Sequence, residues 1–257
     1  MQYGTGIQLK NITFNNPALP NLSNYQDVIA SHPNCIGAWR FDKPELLTID
    51  AVGNLQRIKS WKVGGNDLVL TAGTAARIQA SALTGGNVAM FGAAGEYTLE
   101  TDLLNLAASY TLAAVFKPDS FAAPASVVGT LPGADVTKTG AILSRNGTSA
   151  TPAIAFYEGS KTHYANIPDS SIMVAAIARH NAQTMIDGAA ALLGKETIAA
   201  SINDATGAIP LKIGSATQYP FLGQMDFVAA FNIDVATDAK LMAHLLNYMK
   251  LRARITK

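Results

Sequence analysis

The first chemistry to consider in this sequence is the stacking of aromatic side chains on the apolar face of a sugar ring. Such a site needs an exposed ring, with amides or carboxylates nearby to hydrogen-bond the sugar hydroxyls. The candidates lie on or beside segments that alternate like β-strands, at what we expect to be the concave side, and they are Tyr157, His163, Tyr164 and Tyr219. For each of them ordinary packing is the competing interpretation, and glycan binding is a hypothesis.

The residue types that bind zinc show no ligand spacing. The sequence has four histidines, His32, His163, His180 and His244. They are scattered along the chain and form no motif such as HExxH, so the sequence predicts no zinc site. It also has no glycine-rich phosphate loop after a strand and no G-x-S-x-G nucleophile motif. We therefore predict neither a metal nor a catalytic group from motifs.

Composition bounds the class of protein. A chain of 257 residues can form one large all-β domain and can bury a core without metal or disulfide support. Charged residues make up 14% and the formal net charge is +1, so we expect neither nucleic acid nor a membrane as a partner. The single cysteine, Cys35, excludes an intramolecular disulfide, and we interpret it as a small buried apolar residue. The N-terminus lacks the pattern of a secretory signal, which predicts folding in the cytoplasm.

The elements that must position these side chains are mostly strands. SYTLAAVFKP, residues 109–118, alternates with a period of two and is small or apolar on both faces, which predicts a central strand covered on both sides. QMDFVAAFNI, residues 224–233, predicts a second one. Asp187-Gly188 predicts a tight hairpin with its return strand at 189–193. Shorter strands are predicted at 35–41, 55–61, 68–70, 88–91, 141–144, 153–157 and 172–178, with a loop from 121 to 140.

The two ends of the chain differ from this pattern. Near the C-terminus, apolar residues recur at helical spacing after a Thr237 cap, which predicts one closing helix with Leu241 and Leu245 on its buried face. Residues 1–33 are rich in Asn, Pro and Ser, and their apolar residues are scattered, so this stretch cannot bury much surface by itself. We predict an N-terminal arm at 1–33, serving as a docking segment, followed by a single domain at 34–257.

The order of these features resembles the concanavalin A-like lectin/glucanase superfamily, and within it the laminin-G-like jelly-roll modules. The matching segments are Ala38-Trp39 with LQRIKSW, the strand SYTLAAVFKP, TMIDGAAALL at the place of a "YvNG" hairpin, and PLKIGSATQYPFLGQMDFVAAFNI. The last follows the family order of an "IGg" turn, "pFnG" and an inward-facing strand. The resemblance implies an all-β fold, a two-sheet antiparallel jelly-roll sandwich with a C-terminal helix and an N-terminal extended arm.

The resemblance also indicates which residues would be catalytic if this chain were a hydrolase of the superfamily. They carry paired carboxylates in the spacing E-x-D-x-x-E on one strand, so that nucleophile and acid/base share a face. The nearest match here is Glu100-Thr-Asp102-Leu-Leu-Asn105, in which Asn105 replaces the acid/base, and it precedes the central strand. We therefore expect no catalytic residues. The same fold hosts sugar-binding proteins, hydrolases and structural modules, so it does not imply one activity.

Calcium is common in the superfamily and is usually held by aspartates and backbone carbonyls on rim loops. The aspartates considered for it are Asp187, Asp204 and Asp226. No Asp-rich loop with calcium spacing is present, and a hairpin turn accounts for Asp187, so no cofactor is predicted.

Three functional hypotheses follow. The first is a non-enzymatic virion protein of a tailed bacteriophage, a capsid decoration or fibre-like component located in the virion. Its arm would attach it to other virion proteins, and its lectin-like domain would meet a cell-surface glycan. As part of a symmetric assembly it is expected to be a homo-oligomer. The alternative is a carbohydrate-binding module of a polysaccharide-processing system. A glycoside hydrolase is the third, for which the sequence lacks a carboxylate pair.

Overall fold

The computed structural model describes residues 25–100, 104–105, 108–130, 140–146, 152–158, 161–167, 171–180, 184–188, 196–198 and 208–254. Within them the chain forms nineteen strands and one α-helix. The first ten strands are β1 (Cys35–Arg40), β2 (Leu47–Ile49), β3 (Leu55–Ile58), β4 (Leu68–Gly73), β5 (Arg77–Ser81), β6 (Gly86–Phe91), β7 (Gly95–Leu99), β8 (Leu104–Asn105), β9 (Tyr110–Pro118) and β10 (Ala125–Thr130). The remaining elements are β11 (Gly140–Asn146), β12 (Pro152–Glu158), β13 (Lys161–Asn166), β14 (Val174–His180), β15 (Thr184–Gly188), β16 (Glu196–Ile198), β17 (Ala208–Ile209), β18 (Lys212–Gly214), β19 (Gly223–Phe231) and α1 (Ala239–Arg252).

Two antiparallel sheets form the sandwich that the sequence predicts. The inner sheet has eight strands in the order β16-β15-β14-β9-β19-β6-β5, with β1 also paired to β19. The outer sheet has nine strands in the order β13-β12-β11-β10-β18-β7-β4-β3-β2. Strands β8 and β17 form a separate two-stranded sheet. The apolar core between the two large sheets takes side chains from both, including Phe91, Tyr97 and Phe116.

The two long strands predicted as central are hydrogen-bonded neighbours in the inner sheet, with Ala113 opposite Ala229. One face of β9 lies in the core between the sheets, and Ala113 and Val115 on its other face pack beneath the helical layer. In β19 a bulge between Met225 and Phe227 shifts the alternation, so Met225 faces the inter-sheet core whereas Phe227 faces the helix. The regular alternation of QMDFVAAFNI predicts that these two residues share a face, and the bulge makes that prediction wrong.

Helix α1 covers the far face of the inner sheet, as its predicted apolar spacing requires. Leu241 and Leu245 are fully buried there. The cap is Asp238, whose Oδ1 accepts a hydrogen bond from the Leu241 N–H at 2.9 Å. Thr237 is not the cap, because it ends a preceding 3₁₀ turn and its hydroxyl donates to the Asp234 carbonyl at 2.7 Å.

Two further local predictions were wrong. Asp187 and Gly188 do not form a turn, because they continue β15 and pair with Ile177 and Ala176 of β14. The predicted loop at 121–140 contains β10, all six residues of which are buried. Its mixture of small and polar residues concealed a strand whose neighbours on both sides supply the hydrogen bonds. The return strand proposed at 189–193 lies outside the described residues.

The described part of the N-terminal segment packs against the domain. A short helical turn at Gln26–Ala30 contacts α1 and β1, and its Ile29 and Ala30 side chains are fully buried. The predicted docking role of residues 1–33 stays a prediction, and residues 1–24 lie outside the described part of the chain. None of the described helices combines the length and apolar character that a membrane crossing requires.

Candidate functional site

The outer face of the nine-stranded sheet carries a floor of small apolar side chains. Ile142 of β11 and Phe156 of β12 point into the inter-sheet core, so the residues that alternate with them point the other way. Those residues are Ala141, Leu143 and Ala155, which form a separate apolar cluster. Because the floor is mostly alanine, large rings can lie close against the sheet.

Three of the four predicted aromatic residues meet on this floor. Tyr157 lies on β12, Tyr164 on β13 is the register partner of Ala155, and Tyr219 comes from the loop after β18. All three pack on the alanine and leucine floor and are half-buried. The ring centroids of Tyr157 and Tyr219 are 6.4 Å apart and the rings are tilted by 43°. We call these three residues the tyrosine patch.

Tyr219 is held in an unusual backbone conformation. Its φ angle is +55°, in the left-handed region that residues with a side chain rarely adopt. The Tyr219 carbonyl accepts a hydrogen bond from the Ser126 N–H of β10 at 2.7 Å, which ties the loop to the sheet. Backbone strain of this kind persists where the surrounding structure determines it, and it clusters at functional sites.

His163, the fourth predicted residue, lies on β13 next to Tyr164 but pairs with Phe156. Adjacent strand residues alternate between faces, so its backbone position does not belong to the tyrosine patch. The side chain of His163 lies outside the described residues, and its predicted role stays a prediction.

Polar groups follow the patch across the same face of the sheet. A row of register partners runs from Tyr157 through Ala141, Gly129 and Lys212 to Thr98. Cross-strand partners share a face, so Lys212 and Thr98 lie on the face of the tyrosine patch.

These polar side chains are already ordered by one another. Lys212 Nζ is 3.0 Å from Glu96 Oε1, and the hydroxyls of Thr71 and Thr98 are 2.7 Å apart. We call Glu96, Lys212, Thr71 and Thr98 the polar row. None of these four residues was predicted from the sequence, although the alternation in GEYTL of β7, with Tyr97 buried between Glu96 and Thr98, contains the signal.

The carboxylates considered for catalysis are not brought together with the patch. Glu100 is exposed and makes a two-pronged ion pair with Arg57, whose Nη2 lies 2.8 Å from Glu100 Oε1. Asn105 lies on β8 opposite Ala208. Asp102 lies outside the described residues. This geometry gives Glu100 the role of a surface ion-pair partner.

Of the three aspartates considered for calcium, Asp226 is the one whose side chain the structure describes. Asp226 is fully buried and is held by the Arg252 guanidinium, with Nε 2.7 Å from Oδ2, so it is not available to a metal. Burial raises the pKa of the Asp226 carboxyl, and the hydrogen bond and charge of Arg252 oppose that rise. The side chain of Asp187 and all of Asp204 lie outside the described residues. Across the part of the chain that the structure describes, no three metal-ligating side chains cluster.

Comparison with known proteins gives a likeness of fold. No family model and no curated protein matches the sequence. The structure is similar to domain 4 of AbnA, a GH43 extracellular arabinanase from Geobacillus stearothermophilus, solved in complex with arabinotriose. The TM-score is 0.55 at 14% identity, over 82% of this chain and 98% of that domain.

The chain is also similar to part of Trypanosoma rangeli sialidase in complex with sialic acid. Here the TM-score is 0.56 at 9% identity, over 88% of this chain and 37% of the sialidase. The chain therefore spans little more than a third of that enzyme's length. At such identities these likenesses establish an all-β sandwich shared with carbohydrate-processing proteins, and they establish the fold alone.

Proposed function

We propose that this chain is a non-catalytic carbohydrate-binding domain and that the tyrosine patch is its binding surface. The observation that carries the proposal is the convergence of Tyr157, Tyr164 and Tyr219 from three separate segments onto one face of the sheet. Three half-buried rings packed over an alanine and leucine floor form an aromatic platform on this face of the sheet.

The chemistry of this face suits a sugar. An aromatic ring with a polar hydroxyl offers an apolar surface to the C–H groups of a pyranose or furanose, and the hydroxyl adds a hydrogen bond. The polar row supplies an ammonium, a carboxylate and two hydroxyls on the same face. The four strand-to-strand steps from β12 to β7 span about 19 Å, which favours a short oligosaccharide over a single sugar.

The fold likeness supports the carbohydrate-binding alternative more than the virion role. Domain 4 of the arabinanase was solved with arabinotriose, and that domain is nearly as long as this chain. We take an oligosaccharide of that size as the first ligand to test. Docking of the N-terminal arm, symmetric assembly and location in a virion stay predictions from the sequence.

A non-catalytic role is part of the proposal. Glu100, the closest match to a catalytic carboxylate, is paired with Arg57 at an exposed position just after β7, four strands away from the β12 strand that carries Tyr157. Turnover of any glycan by the purified chain that disappears in Glu100→Gln would overturn it.

The binding test uses glycan-array screening followed by calorimetric titration with arabinotriose and any array hits. Tyr157→Ala is expected to weaken binding about tenfold, the loss of roughly 1.4 kcal/mol of stacking. Tyr157→Phe keeps the ring and is expected to bind within a few-fold of the parent chain. Silence across a broad array, or equal affinity of the Ala and Phe variants, would contradict the proposal.

A further inference from the structure

A cavity opens at one end of the sandwich. It lies where β1 begins, where β19 has just ended, and beside the turn that follows β3. Its volume is about 210 Å³. Drug-sized ligands occupy pockets of roughly 300 Å³ or more, so this cavity matches a ligand of about one sugar ring. Its polar lining comes from Asn34, Lys62, Gly64, Gly65, Asn66 and Asn232.

The walls of this cavity are tied together by hydrogen bonds. The Asn232 N–H donates to the Asn34 carbonyl at 2.9 Å, which closes the wall between β1 and β19. The Trp39 indole N–H donates to the Asn66 carbonyl at 3.0 Å, and Trp39 is fully buried in the core. These bonds connect the lining to the rigid sandwich, so the cavity is preformed.

Lys62 carries the one formal charge among the described residues that line the cavity. Its Nζ donates to the Cys35 carbonyl at 2.7 Å, which fixes the ammonium at the cavity wall. An ammonium has three donors, so this bond leaves capacity for an acceptor on a ligand. The nearby acid Asp67 is committed elsewhere, because it binds Arg57 and the Ser60 N–H. The cavity therefore favours an anionic group.

The other chemistry in the cavity is neutral. Asparagine amides donate and accept hydrogen bonds, as sugar hydroxyls require. The Cys35 thiol contributes nothing reactive, because burial raises its pKa to about 12 and keeps it protonated at neutral pH.

From this combination we propose that the cavity is a binding site for a single carboxylated sugar, such as a uronic acid, with its carboxylate on Lys62 and its hydroxyls against the polar lining of the cavity. The site is separate from the tyrosine patch, since it lies at the ends of β1 and β19 in the other sheet. The two proposals can therefore fail independently.

The test is a titration of the ¹⁵N-labelled full chain with glucuronate, followed by two-dimensional NMR. We expect shifts at the backbone amides of Gly64 and Gly65 and little change in Tyr157, and we expect Tyr157→Ala to bind glucuronate unchanged. Lys62→Gln is expected to weaken binding at least about tenfold through loss of a charge-assisted hydrogen bond. The matched control Lys59→Gln, an exposed neighbour, is expected to bind within twofold of the parent.

A second variant distinguishes loss of binding from unfolding of the chain. Asn232→Asp keeps the backbone hydrogen bond to Asn34 but adds a negative charge, so it is expected to abolish binding while its NMR spectrum remains that of a folded chain. Absence of shifts around the cavity at saturating glucuronate would overturn the proposal. So would glucose binding as tightly as glucuronate, or equal losses in Lys62→Gln and Lys59→Gln.

Discussion

Arg252, at the end of helix α1, donates two hydrogen bonds to the fully buried carboxylate of Asp226 in β19, one of them from Nε to Oδ2 at 2.7 Å. The same guanidinium lies 3.0 Å from Asp42, which also binds Arg40 at 2.7 Å. The positive charges of Arg40 and Arg252 therefore neutralise the negative charges of Asp42 and Asp226 in one cluster. Arg40 stacks over the Trp61 ring at 4.7 Å, so this cluster joins the helix to the inner sheet.

Removing one member of the Arg252–Asp226 pair is expected to destabilise the fold strongly. Arg252→Met leaves a buried carboxylate without its partner, which costs about 3–5 kcal/mol of unfolding free energy. The double variant Arg252→Met/Asp226→Leu removes both charges and should cost less than the single variant. Urea denaturation measures each. Lys250→Met, a neighbouring lysine, is the control and should stay within about 0.5 kcal/mol; a loss equal to that of Arg252→Met would contradict this account.

Asp42 is expected to contribute stability that depends on pH. Its burial opposes ionisation, but the hydrogen bond from Arg40 and the charges of Arg252 and Arg40 outweigh burial and lower its pKa below 3.8. A carboxyl with a lowered pKa in the folded state adds stability above the unfolded value of 3.8, and that stability is lost as the pH falls through the folded pKa.

The measurement is the unfolding free energy of the parent and of Asp42→Asn between pH 2 and 7. The gap between them should be largest near neutrality and should shrink below pH 3.8. The raised pKa of Asp226 has the opposite sign, because its folded state binds protons more readily above 3.8 and so loses stability as the pH rises. A gap that widens on acidification would show that the assignment to Asp42 is wrong.

The strain in the left-handed backbone of Tyr219 can be tested by comparing glycine and alanine variants at positions 219 and 157. Because φ is +55°, the Tyr219→Gly variant should have an unfolding free energy about 1 kcal/mol higher than that of Tyr219→Ala, since glycine has no Cβ to clash. Tyr157 lies in a regular strand, so there glycine should be less stable than alanine by about 0.5–1 kcal/mol. Chemical denaturation of the four variants gives both differences, and the same sign at the two positions would refute the assignment.

The cap of helix α1 is a further test. Asp238→Ala removes the acceptor of the Leu241 N–H and should cost about 1 kcal/mol, whereas Asp238→Asn keeps an acceptor and should cost little. Thermal and urea unfolding measure both. If Thr237→Val were the more damaging change, the residue predicted from the sequence would be the cap after all.

Much of the fold could be predicted because burial repeats with the period of the backbone. The faces of β9 followed from alternation alone, and so did the apolar face of α1. The errors arose where a local signal competed with strand pairing. Asp187-Gly188 has the composition of a turn, but its pairing with Ile177 and Ala176 of β14 holds it in a strand. In β19 a single bulge moved Met225 to the other face.

The candidate site was predictable by residue type and not by arrangement. The sequence suggested Tyr157, Tyr164 and Tyr219 one at a time, since each is an aromatic residue on or beside a strand. It could not show that they meet, because the distance between Tyr157 and Tyr219 depends on how β11, β12 and the loop after β18 are placed side by side.

The sequence by itself determined the class of this protein: a charge-poor chain of alternating strands with one closing helix, without a motif for metal or nucleotide binding. These properties depend on composition and on a period of two or 3.6 residues, which are local. The tertiary structure decided which side chains share a face, and it made Asp226 the buried partner of Arg252. It also joined residues 34, 62, 66 and 232 into one cavity. Such contacts depend on long-range strand order and register, and alternation within a single segment carries no information about them.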